Sequence, residues 1–191
     1  MENRSILYAL SQGNPDIRQQ VEANRGIAKK LELLIPGLRG YRSKEDLRVS
    51  DELLRNQVAD RLDKVKDNLQ QLRKQVVASN DFTNLTTVGS LIAQVQTLSG
   101  EVRHAGQGYA GWVAPIQIND DRLNKLYDYD YSFVSSVFEL DDVTSPGKLT
   151  YDSTAPNAIQ ATISGFVRTV ADIRQKWSLR METIEGIALG Q

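Results

Sequence analysis

The chain has no cysteine, a single histidine (His104) and only five prolines in 191 residues. Without cysteine there is no disulfide, no thiolate metal site and no cysteine nucleophile. With one histidine a paired-histidine metal centre cannot be assembled, and a serine nucleophile lacks both a convincing base, since His104 is read otherwise below, and a G-x-S-x-G elbow. An excess of charge is lacking as well. Lysine and arginine total 23 against 24 acids, for a net charge of −1. That balance argues against bulk binding to nucleic acid, and it disfavours an anionic membrane surface as partner. Long apolar runs are missing too. LELLI at 31–35 is typical of the longest, far short of the roughly 18 residues that span a bilayer. The first residues, MENRSILYALSQG, do not set a basic segment before a long apolar one. No secretory signal is read, and a cytoplasmic location is the expectation.

What is present is helical periodicity in an ordinary globular composition, 40% apolar and 25% charged. The pattern predicts an all-α fold: one domain over 1–191, an elongated antiparallel bundle of about five helices with coiled-coil-like packing. The first helix is placed at about 15–35. Asn14 caps it, Pro15 suits its first turn, and Pro36 and Gly37 stop it. Ile17, Val21, Ala28, Leu31 and Ile35 form its stripe, with Asn24 in the gap. The second, about 44–79, opens on a box-like Ser43 and Asp46. Its seam runs Leu47, Leu54, Val58, Leu62, Val65, Leu69, Leu72 and Val76, and Asp51–Arg55 and Asp60–Lys64 are i,i+4 ion pairs. At 1.5 Å per residue it is roughly 50 Å long. A third helix, about 83–105, follows closely enough to make a hairpin. The fourth, about 119–142, repeats Leu123, Leu126, Phe133, Val137 and Leu140. The fifth, about 156–188, carries Ile159, Ile163, Phe166, Val170, Ile173, Trp177, Met181 and Ile184. Between them, VTSPGKLTYDSTA at 143–155 is long for a bundle, so it is either mobile or crosses the bundle end.

Few residues suggest chemistry. Glu101-x-x-His104 has the spacing of a di-metal bundle motif, but a second copy needs a second histidine. Its ordinary role is a cation near a helix C-terminus. Asp130 falls on the apolar seam of the fourth helix, where an unpaired carboxylate costs several kcal/mol. It is read either as a perturbed acid in a pocket or as a buried polar residue that sets helix register, the role also given to Asn24. Gly106, Gly108 and Gly111 lack the Gly-Lys-Ser/Thr ending of a phosphate loop. Tyr109 and Trp112 among them either plug the bundle end or anchor a partner. Charge is uneven: 117–155 holds eight acids and three bases, while the region from Arg18 to Arg55 is mildly basic. No catalytic, cofactor-binding or metal-binding set emerges.

LIPGLRGYRSKEDLRVSDELLRNQVADRLD (34–63) and HAGQGYAGWVAPIQINDDRLNKLYDYD (104–130) resemble segments of uncharacterised bacterial helical proteins. The resemblance implies a shared helical fold and transfers no activity, cofactor or site.

The functional expectation is a non-enzymatic interaction or scaffold protein that self-associates or binds a helical partner. The reasoning is that shorter neighbours leave part of the two long seams uncovered, including Trp177 and Met181. Two other readings stay open: a small-ligand pocket around Asp130, Tyr109 and Trp112, and membrane-surface association through the N-terminal segment. Because one histidine and no cysteine leave little but oxygen ligands, chelation with EDTA is expected to leave the melting temperature unchanged. Stoichiometric iron, zinc or manganese in protein purified without added metal would contradict this.

Overall fold

A computed structural model describes residues 17–38, 44–105 and 120–189. Its regular elements there are five helices: α1 (Ile17–Leu34), α2 (Lys44–Ala78), α3 (Phe82–His104), α4 (Asp120–Thr144) and α5 (Pro156–Leu189). Each lies within two residues of its predicted bounds. The caps read at Asn14 and Ser43 lie outside the described residues.

Helix ends follow from local chemistry. After α1, Gly37 turns the chain at φ +89°, a conformation that a β-carbon would strain. Gln57 of α2 then donates to the Pro36 carbonyl at 3.1 Å and fastens this corner. Between α2 and α3, Asn80 takes up φ +57°, which asparagine tolerates better than most residues. Asp81 next caps α3 by accepting from the Asn84 N–H at 3.0 Å.

The four long helices form a bundle of two hairpins, α2–α3 and α4–α5, each antiparallel. Contacts between the hairpins fix their relative direction. Arg61 of α2 pairs with Asp141 of α4, while Asp51 and Asp130, earlier in the same helices, share Arg180. Helices α2 and α4 are therefore parallel neighbours. Asn84 meets the Pro156 carbonyl, and Glu101 meets Arg174, so α3 and α5 are parallel neighbours too. Thus the bundle is antiparallel within hairpins and parallel across them. Helix α1 packs on α4 and buries Leu31 and Ile35.

The seams are spent inside this bundle. On α2, Leu47, Leu54, Val58, Leu62, Val65, Leu69, Leu72 and Val76 are all buried, and so are Ile159, Ile163, Val170, Ile173, Trp177 and Ile184 on α5. The expectation that a single chain leaves the long seams uncovered is corrected here. Helix α3, whose last turn meets Arg55, runs along α2 from there toward Ala78, and α4 lies along α2 on the stretch that holds Asp51 and Arg61.

Residues 145–155 cross the bundle end and are held there. Gly147 turns the chain at φ +89°. The Tyr151 N–H donates to Gln75 Oε1 at 2.9 Å, and its hydroxyl donates to Asp81 Oδ2 at 2.8 Å. Hydrogen bonds from the Asn84 backbone, the Asn84 side chain and Tyr151 hold the Asp81 carboxyl below its ordinary value. Donating to that carboxylate holds the Tyr151 phenol above its own.

A depressed carboxyl contributes stability above its unfolded pKa, and the contribution is lost as pH falls through the folded value. Asp81→Asn is expected to melt below the wild type at neutral pH, with the gap closing as acid titrates Asp81. Paired thermal melts from pH 7 to 3 check this; a gap that stays constant or widens in acid contradicts it.

Candidate functional site

Among the described residues, the densest buried polar chemistry is a layer of four charged side chains. Its centre is Arg180 of α5, 0% exposed. Its guanidinium donates from Nε to Asp130 of α4 and from Nη2 to Asp51 of α2, the latter at 2.7 Å. Asp51 also accepts from Arg55 Nε at 2.7 Å, one turn along α2. Arg55 in turn reaches the Arg103 carbonyl at the end of α3, 3.1 Å from Nη1. Two carboxylates and two guanidiniums make the layer neutral, and it touches all four long helices.

The helices place these groups by simple spacing. Asp130 stands four residues after Leu126 and three before Phe133, so it must face inward with them. Asp51 and Arg55 are i,i+4 neighbours, in the order that favours an ion pair. On α5 the strict 4-3 alternation Ile163, Phe166, Val170, Ile173, Trp177 lands next on Arg180, then on Ile184. The sequence reading broke that alternation to place Met181 on the seam. Met181 is only half-buried against the core, and Arg180 takes the interior position. The signal was there: a carboxylate on one seam calls for a cation on a facing one.

The layer splits the apolar interior. On one side lies the main core, from Leu31 to Trp177; on the other, a small cluster of Leu47, Leu126 and Ile184. Trp177 borders the layer on the core side. Its ring lies 5.3 Å from Phe133, and the Arg180 guanidinium sits 5.2 Å from its centroid. At 6% exposure Trp177 is a core residue, not the outward partner contact expected of it. The physical reason is that α5 packs against both α3 and α4.

Asp130 is therefore held between helices by an ion pair, fully removed from water. The side chain of Asn24 and the residues Tyr109 and Trp112 lie outside the described residues. The Glu101–His104 pair is not brought together with other ligands. Glu101 meets Arg174 at 3.2 Å, and His104 is exposed in the last turn of α3. No group of three acidic or histidine side chains that could hold a metal gathers among the described residues. Nor is any described helix long and apolar enough to cross a membrane.

A second, shallower network ties α2 to α3. Arg103 Nη2 bridges Asp60 and Asp63, each at 2.9 Å, and Ser99 donates to Asp63 at 3.1 Å. Partial burial pushes the Asp63 carboxyl up, but hydrogen bonds from Lys66, Ser99 and Arg103 outweigh it, and the group lies below its ordinary value.

No protein-family model matches the chain, and neither does a curated protein or a solved structure.

Removing one member of a buried ionic layer strands its partners. Arg180→Met is expected to cost about 3–5 kcal/mol, because Asp130 and Asp51 lose their shared cation. Adding Asp130→Leu is expected to recover most of this, since Asp51 keeps Arg55. Urea denaturation of the two variants decides it. A double variant no more stable than the single one would show that the layer is not coupled in this way.

Proposed function

We propose that this protein is a non-enzymatic helical interaction module that self-associates through the outer face of α3. The composition of that face carries the reading. Phe82, Thr86, Ser90, Ala93, Thr97 and Gly100 recur along α3 at steps of four and three. Phe82 is 73% exposed, and Thr86, Ser90, Ala93 and Thr97 are exposed as well. From Phe82 to Gly100 the helix has no charged residue, in a chain that is 25% charged.

A solvated helix face ordinarily carries lysine and glutamate. Interface cores are depleted of them. Two of the hydroxyls are already engaged: Thr97 donates to the Ala93 carbonyl at 2.9 Å and Thr86 to the Phe82 carbonyl at 3.4 Å. Less hydrogen bonding to water is then lost when this face is covered. Small side chains also let two helix axes approach to the close end of the roughly 8–10 Å range.

The occupant that fits is a second copy. A twofold contact sets the same patch on both sides, so a charged face would meet its own charge, and this one has none to oppose. A cytoplasmic setting suits the reading, since the bundle draws on no disulfide.

Sedimentation velocity over a wide concentration range is expected to show a monomer–dimer equilibrium. Ala93→Glu, an exposed helical site, is expected to weaken dimerisation at least about tenfold, or 1.4 kcal/mol, with helicity unchanged. A strict monomer at every concentration, or a dimer indifferent to Ala93→Glu, refutes the proposal.

A further inference from the structure

Between α4 and α5, toward the tip of their hairpin, lies an open groove of about 560 Å³. Part of its wall is apolar: Val143 is 43% exposed there, and Phe166 is half-buried. Gly165 widens it. A β-carbon at that position would meet nothing within 4 Å, so the packing of the chain itself does not call for a glycine, a residue that weakens a helix interior.

Two opposite charges line the groove, Glu139 from α4 and Arg168 from α5. Both are exposed, and neither has an ion pair or a side-chain hydrogen bond among the described residues. Every other charged side chain on these stretches is committed. Between 136 and 144, Asp141 pairs with Arg61 and Asp142 with Lys148; between 156 and 176, Asp172 pairs with Lys176 and Arg174 with Glu101. Glu139 and Arg168 do not pair with each other either. Ser136 meets Lys176, so in this antiparallel pair Arg168 stands about one turn nearer the tip than Glu139.

The two charges narrow the class of ligand. An inorganic anion satisfies Arg168 and is repelled by Glu139, and a simple cation does the reverse. A hard divalent cation needs more oxygen ligands than Glu139 supplies. A zwitterion satisfies both: a carboxylate for the guanidinium, whose planar fork matches it, and an ammonium for the glutamate. Neither charge lies in a terminal turn of its helix, so the helix dipoles oppose neither contact. The apolar wall beside them suits an apolar group on the same small molecule.

We propose that this groove binds a free apolar α-amino acid, its carboxylate held by Arg168, its ammonium by Glu139 and its side chain against Val143 and Phe166. Helix α3 contributes no residue to the groove, so the site does not depend on self-association through the α3 outer face.

Titration of the full chain with L-leucine, followed through backbone amide chemical shifts, tests it. Saturable shifts are expected, centred on residues 139–143 and 162–169. Three comparators each lack one part of the ligand: N-acetyl-L-leucine the ammonium, L-leucinamide the carboxylate, and glycine the apolar side chain. Each is expected to bind at least about tenfold more weakly than leucine, as are Glu139→Gln and Arg168→Gln with leucine itself. Gly165→Leu leaves both charges in place and fills the groove, and it is expected to abolish the shifts while the protein stays folded. The proposal is overturned if leucine gives no saturable shift in these two segments, the outcome if Glu139 and Arg168 are simply solvated. It is equally overturned if any comparator matches leucine, or if any of the three variants titrates like the wild type.

Discussion

Everything in this bundle is arranged around one desolvated guanidinium. Arg180 is withdrawn from water, and a cation so placed is tolerable only with carboxylates against it. Asp51 and Asp130 are those carboxylates, and they come from two different helices. The layer need not be the largest source of stability, since a well-packed apolar layer often does as well. What it adds is intolerance of alternatives. Leucines and valines that slip along a seam find other leucines and valines. Arg180 displaced by a turn leaves both of its carboxylates behind, and Asp51 is left with Arg55. The layer therefore specifies the axial register of α5 relative to α2 and α4.

The other end of the bundle is fixed by neutral and singly charged groups. Tyr151 is hydrogen-bonded to Gln75 and Asp81, so the connection between α4 and α5 is bound to the turn between α2 and α3. The two hairpins thus meet at their tips through hydrogen bonds and near their open ends through ions. Between the two lies the main apolar core. On the α2–α4 side Arg61 adds a clamp, pairing with Asp141 while its guanidinium lies 3.5 Å from the Phe138 ring centroid.

Most of the fold was legible in the sequence because it rests on local signals. Helix bounds follow from proline, glycine and the 3-4 rhythm, and those signals act within a turn or two. Asp130 was legible as buried, since its neighbours on the heptad left it no other place. Its partner was not identified, because Arg180 and Met181 are adjacent and a long apolar side chain is the easier reading of a seam position. The choice between them is made by a carboxylate 50 residues away, which no local rule sees. Coverage of the long seams escaped for a related reason. Comparing helix lengths assumes neighbours in register, whereas α3 and α4 are staggered along α2. The role of Tyr151 was equally hidden, since nothing near it in the chain indicates Gln75 or Asp81.

The separation of the charged partners has a kinetic meaning. Each hairpin is built from contacts between chain neighbours, and such contacts form early because little loop entropy opposes them. Asp51 and Arg180 are 129 residues apart, so their meeting awaits the docking of two preformed hairpins. Within each hairpin the charges have a partner already, Arg55 for Asp51 and Arg180 for Asp130. The bond from Arg180 to Asp51 is the part of the layer that joins the two hairpins, so it forms only where they are aligned, and hairpins docked out of step forgo it.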